Sequence, residues 1–72
     1  MVNVELLNQK IKDSGLKREY IAEQCGITRT GFYNKANNRT EFTSGEVLKL
    51  CQILSITKLT EKESIFFAKE VN

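Results

Sequence analysis

Arg29, Thr30, Tyr33 and Asn34 share one face if residues 28–36 are helical, and that face carries donors, acceptors and one aromatic ring but no carboxylate. Those side chains match the edges of DNA bases. An arginine can give two parallel hydrogen bonds to guanine O6 and N7, and an asparagine can pair in the same way with adenine N6 and N7. Thr30 and Tyr33 suit a thymine methyl group or a phosphate. The plainer alternative is that Arg29 is merely solvated and that Tyr33 packs against the preceding helix. A second set suits the sugar–phosphate backbone: Lys17 and Arg18 at a helix start, then Thr28, Lys35, Asn37, Asn38, Arg39, Thr40, Thr43 and Ser44. Contacts of that kind are salt-sensitive and blind to sequence.

To position these residues, Lys17–Ala36 must fold as two short helices joined by a tight turn. The first runs from about Lys17 to Gln24, with Ile21, Ala22 and Cys25 inward and Glu19 and Glu23 toward water. Gly26 closes it, because the sharp turn needs a left-handed residue and glycine takes that conformation without a side-chain clash. Ile27 points back to the core, Thr28 caps the next helix, and Phe32 and Ala36 form its inner face. Gly31 inside this helix costs about 1 kcal/mol relative to alanine. It is read either as tolerance in a short packed helix or as room for backbone to approach DNA.

The remaining elements read as a scaffold. A helix from about Val4 to Asp13, capped by Asn3, buries Leu7 and Ile11, with Val4 extending the stripe and Gly15 as its stop. Leu16 packs ahead of the second helix. Asn38 suits a left-handed stop after residue 36, and Phe42 anchors the following loop. Thr43 and Glu46 have capping-box spacing and open a helix to about Leu54 with Val47, Leu50, Cys51 and Leu54 inward. Thr60–Glu63 is a second box, opening a fifth helix.

That last helix carries Ile65, Phe66 and Phe67 in succession. At helical spacing they spread over about 200°, wider than one core-facing stripe. At least one of them is then expected to be exposed in a lone subunit and to serve dimerisation, unless the helix ends early and Phe67 folds back on the core. Completion of the monomer core by all three is the plain alternative.

Composition sets the limits. Seventy-two residues make one domain, with no proline and four glycines, which favours an all-α chain. The net charge is +2, but residues 17–40 carry Lys17, Arg18, Arg29, Lys35 and Arg39 against Glu19 and Glu23, a balance of +3. Positive charge concentrated on the helix pair is what a nucleic-acid-binding protein needs. Lys10, Lys12, Lys49, Lys58, Lys62 and Lys69 read as solvated surface. With no histidine, no nucleophile triad, no phosphate loop and no Cys/His metal set, neither an enzyme nor a cofactor is expected. Cys25 and Cys51 read as small buried hydrophobes. No apolar run approaches the length of a membrane span, and a cytoplasmic location is the expectation.

The stretch GLKREYIAEQCGITRTGFYNKANN resembles the helix-turn-helix of phage repressor and Cro proteins, the lambda-repressor-like or XRE family, at Ala22, Gly26, Ile27 and Phe32. NKANNRTEFTSGEVLKLCQIL and the ending IFFAKEV are similar to a phage-associated, Cro-like branch. Two positions depart from the wider family: Lys35 stands where an apolar residue is usual, and Asn38 replaces a glycine. The resemblance implies a compact bundle of four or five helices. It also implies a homodimer on double-stranded operator DNA with residues 28–36 in the major groove, and repression of transcription in a bacterial host cell. No small-molecule ligand is implied. From another class, the alternative is a protein-interaction module or antitoxin-like partner built on the same fold, since fold alone does not fix function.

Overall fold

A computed structural model of the chain describes residues 1–68. Lys69 and the end of the IFFAKEV segment lie outside the described residues. Five helices follow one another: α1 (Val4–Ser14), α2 (Arg18–Gln24), α3 (Arg29–Ala36), α4 (Ser44–Ile53) and α5 (Leu59–Phe66). Among the described residues there is no strand, and no helix is long and apolar enough to cross a membrane.

Side-chain caps define three of the five helix starts. Asn3 accepts a hydrogen bond from the Leu6 N–H, Thr28 from Gly31, and Thr43 from Glu46, whose carboxylate in turn accepts from the Thr43 N–H. Each satisfies an amide that the first helical turn leaves without a partner. Left-handed residues define four of the ends: Gly15 (φ 72°), Gly26 (φ 73°), Asn38 (φ 64°) and Ser55 (φ 56°). After α2 and α3 the chain closes in the same double-bonded manner. Gly26 N–H reaches Glu23 and Ile27 N–H reaches Ala22; Asn38 N–H reaches Lys35 and Arg39 N–H reaches Asn34. This is the Schellman arrangement, which satisfies the last carbonyls of the helix.

Two features differ from the sequence reading. Ser55, a residue with no obvious preference for the conformation, takes φ 56° after α4, and Ile56 N–H bonds the Cys51 carbonyl. The second capping box does not form. α5 starts at Leu59 with Lys58 at its cap and no side-chain cap bond, and the Thr60 carbonyl accepts from the Ser64 hydroxyl. The register of α5 is set by its packing on α1, where Lys10 pairs with Glu61 at 3.0 Å and the Asn3 N–H reaches the Ile65 carbonyl at 2.7 Å. Lys10 is therefore half-buried and paired rather than freely solvated.

α2 packs against both α3 and α4. The core runs through all five helices: Leu7 and Ile11, Ile21 and Ala22, Phe32 and Ala36, Val47, Leu50 and Cys51, and Ile65 and Phe66. Val2, Leu54 and Ile56 join it from the connecting segments, with Leu16, Cys25, Ile27 and Phe42 partly buried against it. Phe42 anchors its loop between two rings, 6.0 Å from Phe32 and, edge-on, 6.0 Å from Phe66. Such tilted and T-shaped pairs favour the ring quadrupoles beyond simple burial.

Candidate functional site

Phe32 and Ala36 bury the inner side of α3, which turns the opposite side outward. Arg29, Thr30 and Tyr33 are exposed there, and Asn34 is half-buried beside them. The four residues singled out from spacing therefore do fall together. Tyr33 does not bury itself against α2: the residue is 56 % exposed, and the Arg39 guanidinium lies 5.8 Å from its ring centroid. That cation–π contact brings a cation from the loop after α3 over the face of the helix. Asn37 donates from its amide to the Tyr33 carbonyl at 2.8 Å and closes the helix end.

Arg29 is not alone. Its guanidinium lies 3.1 Å from the Glu19 carboxylate on α2, with both side chains largely exposed at 71 % and 70 %. An exposed pair of this kind contributes roughly 0–1 kcal/mol, so Arg29 can leave it at little cost. Arg18 donates to the Asn8 carboxamide at 3.1 Å. Arg18, Arg29, Tyr33 and Asn37 line one cleft of about 320 Å³ with Asn8 and Phe32. Asn8 was not among the residues legible as site candidates; it is set there by packing, through a helix distant in sequence.

The second set divides. Lys17, Arg18, Thr28, Asn37, Arg39, Thr40, Thr43 and Ser44 are all exposed. Thr28 and Thr43 use their hydroxyl oxygens to accept cap bonds, and a hydroxyl in that role keeps its proton to donate. Asn38 is committed elsewhere: its carboxamide accepts from the Val2 N–H at 2.7 Å and donates to the Val2 carbonyl at 2.9 Å. Lys35 is also committed. Its ammonium sits 2.6 and 2.8 Å from the two oxygens of Glu46, and the side chains are only 18 % and 12 % exposed. The lysine expected at phosphate is thus held by a carboxylate that α4 brings to it from eleven residues away.

Of the three residues expected at a dimer surface, Ile65 and Phe66 are buried in the monomer core, and only Phe67 is exposed, at 59 %. α5 ends at Phe66, but Phe67 does not fold back. It borders a shallow cleft of about 260 Å³ with Met1, Phe42, Val47 and Phe66 among its walls. Neither cysteine is bonded. Burial pushes both thiols up, with the Glu46 charge adding to the effect at Cys25, which disfavours the thiolate, the nucleophilic form.

No protein-family model, no curated protein and no solved structure matches the chain.

Proposed function

We propose that this protein is a sequence-specific DNA-binding transcriptional regulator that lays α3 in the major groove of its operator. The observation that carries the reading is the outer face of α3. Arg29, Thr30 and Tyr33 project from a helix anchored on its other side by Phe32, with Arg39 held over one end and Arg18 beside the other. α2 and α3 would then act as a helix-turn-helix, in which the second helix reads base edges and the first crosses the backbone.

Arg29 is the leading base reader, exchanging Glu19 for guanine, with Asn34 for adenine and Thr30 and Tyr33 for thymine or phosphate. Lys17, Arg18, Arg39, Thr28, Asn37, Thr40, Thr43 and Ser44 would position the protein on phosphates. The resemblance to phage Cro-like repressors makes repression by occupying a promoter the favoured mode, with the protein in the bacterial cytoplasm. Two subunits would bind two half-sites, which raises effective affinity, and Phe67 is one of several exposed apolar residues, with Leu48 and Leu59, available to the dimer. The test is operator selection by wild type and by Arg29→Ala. Loss of preference at one base pair supports the reading, and an unchanged preference removes Arg29 from it.

A further inference from the structure

The two ion pairs that bracket α3 differ in kind. Arg29 meets Glu19 through one contact in open solvent. Lys35 meets both oxygens of Glu46, largely shielded from solvent, and the same carboxylate is fixed by the Thr43 N–H at 2.9 Å within the α4 capping box. The first opens easily. The second combines charge assistance, two short hydrogen bonds and a carboxylate that is already pinned.

We propose that Glu46 withholds Lys35 from DNA and thereby limits the number of backbone phosphates the protein neutralises. The proposal rests on the DNA-binding reading above and names a control on that same helix. Lys35 lies in the last turn of α3, next to Asn34 in the chain, and its carbonyl accepts from the Asn38 N–H in the turn that leads to Arg39. Its charge would otherwise add to the sequence-independent part of binding. Each phosphate neutralised steepens the dependence of log K on log salt by about 0.9. Holding one cation in an internal pair lowers non-specific affinity and leaves the base-reading residues untouched. Selectivity is the ratio of specific to non-specific binding, so Glu46 acts on that ratio through Lys35.

The experiment measures affinity for operator and for random duplex across a salt series, using wild type, Glu46→Gln and the double variant Lys35→Gln/Glu46→Gln. Glutamine keeps an acceptor for the Thr43 N–H, so the capping box is retained. Glu63→Gln, on the exposed side of α5, reports the general effect of losing one negative charge. Glu46→Gln is expected to steepen the slope by about 0.9, so that raising salt fourfold costs it about 3.5 times more affinity than wild type. Its gain on random duplex should exceed that of Glu63→Gln. The double variant, with the net charge of wild type, should keep the wild-type slope. A shallower slope in the double variant would mean that Lys35 already contacts phosphate, and the proposal fails. So does a Glu46→Gln slope equal to wild type while wild type binds normally. Absence of wild-type binding at any salt overturns the DNA reading and this proposal with it.

Discussion

Asn38 holds Val2 by both ends of its carboxamide, 36 residues apart in sequence, accepting from the Val2 N–H at 2.7 Å and donating to its carbonyl at 2.9 Å. The pairing completes a strap. Met1 and Asn3 are bonded through their backbones to Ala68 and Ile65 at the other side, and Val2 is buried between. One asparagine therefore ends α3 in a left-handed conformation and fixes the chain start against the loop that carries Arg39.

Replacing Asn38 separates those two roles. Asn38→Gly keeps the left-handed backbone but loses both amide bonds, and an expected destabilisation of about 1–2 kcal/mol follows from two hydrogen bonds of ordinary net worth. Asn38→Ala adds the strain of a Cβ at positive φ, about 1 kcal/mol more. Urea unfolding of the two variants checks the order; equal loss in both would show that the backbone conformation contributes nothing.

Glu46 gives the protein an acid-sensitive point. Burial, the largest single influence on its carboxyl, acts to raise its pKa. The hydrogen bonds from Lys35 and Thr43 and the Lys35 charge outweigh it, so the group lies below its ordinary 4.5. A carboxyl whose pKa is depressed on folding adds stability above its unfolded value and loses it as pH falls through the folded value. Wild-type stability should therefore drop more steeply than that of Glu46→Gln between about pH 5 and pH 3. Parallel pH profiles in urea unfolding would contradict this.

The caps and stops show how much of the fold is legible in the sequence. Asn3, Thr28 and Thr43 carry side chains that bond helix-start amides, and Gly15, Gly26 and Asn38 are residue types that favour left-handed ends; each performs that role. Ser55 and the start of α5 were not legible, because packing against distant segments decided them. Ile56 and Ile65 must reach the core, which forces a left-handed serine at one point and bypasses the Thr60 cap at the other. The site divides in the same way. The outward face of α3 follows from the spacing of Phe32 and Ala36, a local property. The acids that pair with the cations of α3, Glu19 and Glu46, arrive from α2 and α4, and no single-helix pattern reveals them.

Gly31 faces a constraint other than the two read from sequence. A Cβ there would lie 3.1 Å from the Thr28 cap oxygen. Alanine at a helix interior normally stabilises by about 1 kcal/mol over glycine, whereas disturbing the cap costs about the same. Gly31→Ala should therefore change stability by less than about 0.5 kcal/mol. A full stabilisation of about 1 kcal/mol would show that Thr28 yields freely.

Phe67 separates self-association from folding. Its side chain is exposed while Ile65 and Phe66 are buried, so Phe67→Ser should leave unfolding within about 0.5 kcal/mol of wild type and weaken any dimer seen by sedimentation in the presence of operator. Unchanged association would move the dimer contact elsewhere on the surface.

The most direct test is DNA binding by the wild-type protein across a salt series, with selection from random duplexes. The account predicts tight, salt-dependent binding that enriches a repeated half-site, with Arg29→Ala losing preference at one base pair in each half. No binding even at low salt would contradict it and would turn attention to a protein partner for the outer face of α3.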